Sequence, residues 1–204
     1  MRRYTKALLT GALAALILTT AVGVASARNL SVSNQRIRIV WRELILSGGL
    51  ENTCEVTLEG SFHYRTIIKE PRLIGYITRA DLNRCTVPTR VLGLPWHITY
   101  RSFRGVLPNI TAVRLDLIGA GFLVEFRGLA NCLFLSEAAR PALGEATIGA
   151  GGVVTGLRVD EAAPIRLFRD LGGGIVRCPS EGFLRGTGTV TLLGNNTSIT
   201  ITLI

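Results

Sequence analysis

The sequence predicts an all-β, antiparallel fold: a β-sandwich, with a barrel as the alternative closure, behind a cleaved N-terminal signal helix. Two observations carry this. Apolar residues recur with a period of two along most of the chain, and Gly and Pro interrupt that alternation at short intervals. Strands separated by such short breaks join as antiparallel neighbours, whereas βαβ units need crossovers of a dozen or more residues.

Residues 1–27 have the three-part form of a secretory signal. Met1-Arg2-Arg3-Tyr4-Thr5-Lys6 is basic, Ala7 to Val24 is uncharged, and Ala25-Ser26-Ala27 is an A-x-A cleavage site. A retained anchor is the rival reading, because the apolar run approaches the ~20 residues that span a bilayer. Its Ala, Gly and Thr content and the A-x-A favour cleavage. Arg2-Arg3 hints at a twin-arginine signal, but Tyr4-Thr5-Lys6 follows where an apolar pair belongs, and no cysteine follows the cleavage site as a lipoprotein requires. Later segments are broken by Arg, Glu or Gly too often to span a membrane. Residues 28–204 then form a single all-β domain, with a sheet or subdomain join near Pro141, after which Gly increases and aromatics thin out.

Taken in order, residues 36–46 fit two patterns. Ile37, Val40, Trp41 and Leu44 lie on a helical face, while Ile37, Ile39 and Trp41 alternate as a strand with a bulge before Leu44. The richness in β-branched residues favours the strand. Strands are expected over 54–62, 66–69, 73–79, 97–103, 111–117, 122–127, 153–160 and 165–168. Residues 136–143 could open a helix that Pro141 stops within about a turn. The chain is expected to close in a hairpin, with 190–193 turning through Gly194-Asn195-Asn196 into 197–204.

Charge and sulfur bound the class. The chain carries 23 basic and 14 acidic residues, net +9, and loss of three bases with the signal leaves +6. The bases are spread along the chain rather than gathered in a stripe or motif, so no nucleic-acid partner is expected. Cys54, Cys85, Cys132 and Cys178 all follow the signal, and an even count in an exported chain reads as a disulfide framework. Three pairings are possible; loop-closure entropy favours Cys54 with Cys85 and Cys132 with Cys178.

Chemistry is sparse. The two histidines, His63 and His97, belong to no short metal motif, and no C-x-x-C, G-x-S-x-G or P-loop occurs. No catalytic residue, metal or cofactor is expected. Glu55 and Glu59 share a strand face about 13 Å apart, too far for paired-carboxylate hydrolysis. The glycine runs 149–152 and 172–174 read as turns or bulges.

The most distinctive stretch is Leu94-Pro95-Trp96-His97-Ile98-Thr99-Tyr100-Arg101-Ser102-Phe103. One reading makes it a carbohydrate-facing strip, with Trp96 and Tyr100 as stacking platforms, His97 a polar neighbour and Arg101 beside them. The other places Trp96, Ile98 and Tyr100 in the core.

Residues 54–63, 73–80, Leu94-Pro95-Trp96-His97 and Leu107-Pro108-Asn109-Ile110-Thr111, with Gly186-Thr187-Gly188-Thr189-Val190 near the end, resemble a group of uncharacterised small exported bacterial β-rich proteins. The resemblance implies export and a single architecture, and carries no activity or site residue. The expectation is a secreted or cell-envelope protein, non-enzymatic, that is structural or binds an anionic envelope polymer or carbohydrate, with no membrane span after signal cleavage. The alternative is an exported hydrolase with a dispersed site based on His63 or His97.

Overall fold

The computed structural model describes residues 29–47, 51–106, 109–126, 130–160, 165–170 and 177–204. The signal peptide expected over 1–27 and the glycine run 172–174 lie outside the described residues.

These residues form fifteen strands and no α-helix: β1 Asn29–Val32, β2 Arg36–Ser47, β3 Glu51–Phe62, β4 Thr66–Ile68, β5 Leu73–Asn83, β6 Thr89–Leu92, β7 Trp96–Val106, β8 Asn109–Ile118, β9 Gly121–Phe126, β10 Ala130–Leu135, β11 Ala142–Ile148, β12 Val154–Val159, β13 Ile165–Asp170, β14 Glu181–Leu192 and β15 Ile201–Leu203. The all-β antiparallel class stands, and of the two expected closures the molecule takes the barrel.

Eight strands close that barrel in chain order. β2, β3, β5, β7, β8, β11, β12 and β14 each pair antiparallel with the next, and β14 pairs back onto β2. This is an up-and-down barrel, with β4, β6, β9, β10 and β13 falling between its staves in sequence and β1 and β15 before and after them. β6, β9, β10 and β13 form a second sheet that joins the barrel through β13 and the start of β14, Ile165 facing Gly182. β15, β1 and β4 form a separate three-stranded sheet. The chain returns from the second sheet to the barrel between Leu135 and Ala142, around Pro141.

The alternation fixes which residues turn inward. In β3, Asn52, Cys54, Val56, Leu58, Gly60 and Phe62 are buried while the intervening residues reach solvent. β2 follows the same rule as far as Trp41, then shifts register between Trp41 and Leu44. That bulge keeps both Trp41 and Leu44 inside despite their odd spacing. The interior residues of the barrel and of the second sheet belong to one apolar cluster.

The outer wall is charged. Arg38, Glu59 and Arg79 line up across β2, β3 and β5, and Arg104, Arg114 and Arg158 all reach Glu145 on β11, at 3.1, 2.8 and 3.5 Å. An apolar lumen under a charged wall is the reverse of the arrangement a lipid-facing barrel requires. Among the described residues no helix is long and apolar enough to cross a membrane.

Three expectations need correction. The stretch 136–143 forms no helix; a turn bridged by Glu137 and Arg140 leads into β11. Pro141 and the small inward residues of β11 suit an extended chain packed against a neighbouring strand. The closing hairpin does not form either. The turn exists, with Leu192 N donating to Thr197 O at 2.9 Å, but β15 leaves β14 and pairs with β1. β12 and β13 take the edge of β14 opposite β2 only at Gly186–Gly188 and Glu181–Gly182, while β15 is drawn away to β1. The strand expected at 97–103 begins one residue earlier and runs to Val106.

Candidate functional site

The strip singled out in the sequence lies on β7, whose burial alternates from its first residue. Trp96 is 0% exposed and Tyr100 4%. The Trp96 ring packs 5.5 Å from Phe122, and its Nε1–H donates to Leu92 O at 2.8 Å. Burial pushes the Tyr100 hydroxyl above its ordinary pKa. Both side chains are core, not stacking platforms. The physical reason is the period of two: Trp96, Ile98 and Tyr100 share one face, and in a closed barrel that face is the interior.

His97 and Arg101 point the other way. Arg101 Nη1 pairs with Asp116 Oδ1 at 2.9 Å. His97 stands opposite Tyr76 of β5, ring centroids 5.1 Å apart and nearly perpendicular. The strip therefore divides, two residues inside and two outside.

Its outward half belongs to a different array. Tyr76 also meets His63 edge-on at 4.9 Å, and His63 leads to Tyr64 at 6.4 Å. Four rings, from His97 through Tyr76 and His63 to Tyr64, thus form a chain on the outer wall, and Tyr64 is 75% exposed. Edge-to-face spacing of 4.5–7 Å is the favoured geometry for such rings. Gln35 anchors the turn at His63, its Nε2 donating to the His63 carbonyl at 2.7 Å.

Glycine makes this placement possible. A side chain at Gly60 would strike the carbonyl of Tyr76, and one at Gly75 would strike the carbonyl of Ser61. The two backbones meet closely where β3 and β5 shift register between Glu59 and Gly60. Ser61 then faces Tyr76, and Arg36 of β2 continues the row beyond Ser61.

One row further along the same wall, Arg38, Glu59 and Arg79 border an open groove of about 780 Å³ that also includes Thr57, Asp81 and Leu94. Glu59 receives Arg38 at 2.7 Å, while Arg79 holds Asp81 at 2.9 Å. A ring surface and a polar, charged groove therefore adjoin along the outer face of β5.

The acid–base candidates do not assemble. Neither imidazole bonds a described carboxylate; Glu55 is engaged by Arg84 at 2.9 Å and Glu59 by Arg38. Among the described residues no three His, Cys, Asp or Glu gather as metal ligands. All four cysteines are paired, Cys54 with Cys85 and Cys132 with Cys178.

No family model matches the chain, and no curated protein or solved structure matches it. Its function must be read from its own geometry.

Proposed function

We propose that the mature chain is an exported, non-catalytic protein of the cell envelope or its surroundings that binds an anionic surface polymer or carbohydrate along the outer wall of its barrel. The observation that carries the reading is the outer-wall chain of four rings, three of them exposed and Tyr76 half-buried, beside the Arg38–Glu59–Arg79 groove. Ring faces accept the C–H surface of a sugar. Arg38 and Arg79 already face Glu59 and Asp81, and it is Arg36, in the row of Ser61 and Tyr76, whose guanidinium suits a carboxylate or phosphate substituent. An open groove suits an extended chain better than a small enclosed substrate. Two disulfides are compatible with an extracytoplasmic compartment, and the signal-like leader and the resemblance to small exported proteins point the same way.

The test is retention of the mature protein on isolated envelope polymer, compared with a neutral glycan of similar length. The proposal expects retention on the anionic polymer that weakens as salt rises. No retention on either polymer contradicts it.

A second reading, an exported hydrolase with a dispersed His-dependent site, draws on the convergence of both histidines on Tyr76. It requires turnover in an esterase, protease and glycosidase screen that disappears in His63→Ala or His97→Ala. Its weakness is the lack of a described carboxylate to orient either imidazole.

A further inference from the structure

Two strand edges face each other across a seam that borders the outer groove, and no described ladder joins them. β5 pairs with β7 only from Leu73 to Ile77, and β6 pairs only with β9. In the described ladders, Thr78 to Asn83 of β5 and the whole of β6 are therefore bonded on one edge alone.

The register says which amides are left over. In an antiparallel ladder alternate residues turn their amides toward the neighbour, and the others turn theirs away. His63 N donates to Ile74 O at 2.8 Å, so the odd-numbered residues along β3 bond to β5. Arg79, Asp81 and Asn83 stand opposite Glu59, Thr57 and Glu55 and use their amides on β3. The amides of Ala80 and Leu82 then face the seam. On the other side, Glu125 N donates to Pro88 O at 2.8 Å, so the even-numbered residues of β6 bond to β9. The amides of Thr89 and Val91 face the seam in turn. All four residues line the open groove of about 780 Å³, and a row of unpaired N–H and C=O groups is a template for another amide.

The ends of the seam decide which amide can enter. At one end Ile77 of β5 stands opposite Trp96 of β7, and only residues 93–95 separate Trp96 from β6. At the other, residues 84–88 join β5 to β6, held by the Cys54–Cys85 disulfide and by Val87 N donating to Asn52 Oδ1 at 2.9 Å. A seam shut at both ends does not take a through-running strand; it takes a pendant group from the groove. The trans amide of an acetamido group points its C=O one way and its N–H the other, so it can accept from one edge and donate to the other. Leu94, 38% exposed, lines the same groove and offers its methyl group an apolar contact.

We propose, on the polymer-binding reading of the same wall, that the bound polymer carries acetamido groups, as a glycan of alternating uronate and N-acetylamino sugars does. The acetamido C=O accepts from Val91 N–H, and its N–H donates to a carbonyl of the β5 edge.

Oligosaccharides of hyaluronate and of cellulose oxidised to glucuronate at every second sugar test this. Both carry one carboxylate per two sugars, and only hyaluronate carries acetamido groups. At equal length and ionic strength hyaluronate should bind about tenfold more tightly, the worth of two hydrogen bonds, and should shift the Val91 amide resonance saturably. Val91→Pro removes the N–H from an edge strand, where proline is tolerated. It should weaken hyaluronate binding about fivefold, the worth of one hydrogen bond, and leave oxidised cellulose unchanged. Equal binding of the two oligomers overturns the acetamido assignment and leaves the polymer reading standing; binding of neither overturns both. Tighter binding of acetyl-tetraalanine amide than of hyaluronate would give the seam to a peptide and overturns the assignment too. Where Val91→Pro fails to fold, the Val91 amide shift in the native protein decides alone.

Discussion

The two halves of the molecule are closed by different means. Through one half, β7, β8, β11 and β12 carry an unbroken hydrogen-bonded ladder from β5 to β14, and no cysteine is present. Through the other, β6, β9, β10 and β13 span the same gap, and the described ladder stops at β6 without joining β5. Both disulfides sit there, tying Cys54 of β3 to Cys85 just after β5, and Cys132 of β10 to Cys178 just before β14. The buried Asn52 adds to that tie, accepting from Val87 N at 2.9 Å and donating to Thr89 Oγ1 at 2.6 Å. Where backbone pairing completes the wall, apolar packing holds it; where pairing is incomplete, covalent links and one buried amide replace it.

That contrast is open to being broken in graded steps. The largest effect belongs to Trp96, which stands opposite Ile77 in the barrel and packs on Phe122 of the second sheet, so that it serves both halves. Trp96→Ala should cost about 3–5 kcal/mol in chemical denaturation and loosen both halves together in hydrogen exchange. Removal of one disulfide as Cys132→Ser with Cys178→Ser should cost about 3–4 kcal/mol, from the 46-residue loop it closes. Exchange should then rise first in β10 and β13, while the ladder half stays protected.

Gly188→Ala acts on the opposite half. Its methyl group would stand 2.7 Å from the Trp41 ring, so a loss of about 1–3 kcal/mol is expected from overpacking, with exchange rising in β2 and β14. The smallest effect is electrostatic. Burial raises the Tyr100 hydroxyl above its ordinary value of 10.0, so the folded state keeps a proton that the unfolded chain releases. The associated stability is fully present below pH 10 and lost as pH rises through the raised value. Tyr100→Phe should therefore flatten the alkaline limb of stability against pH; an unchanged limb would show that Tyr100 does not contribute to it.

Much of this architecture is legible in the residues themselves. The strand at 36–47 and its bulge before Leu44 follow from Ile37, Ile39 and Trp41 alternating with Arg36, Arg38 and Val40. The strand β11 is harder to see, because its inward residues Ala142, Gly144 and Ala146 are too small to mark an apolar face. The closing hairpin misleads for another reason: alternation says which face a strand buries but not which neighbour it pairs with. The candidate site divides along the same line. That Trp96 and Tyr100 share a face is local and readable; that the face is inward depends on closure of the barrel. His63, Tyr76 and His97 meet through the register of β3, β5 and β7, with a shift at Glu59 and Gly60 that no short window of sequence displays.

The outer ring chain is the centre of the functional account, and the most direct measurement is polymer binding by the Tyr64→Ala, Tyr76→Ala double variant beside the native protein. Both tyrosines lie on the outer wall away from the core cluster, so the melting temperature should stay within a few degrees. The account predicts loss of retention on isolated anionic envelope polymer with the fold intact. Retention equal to that of the native protein, from a variant equally well folded, would contradict it.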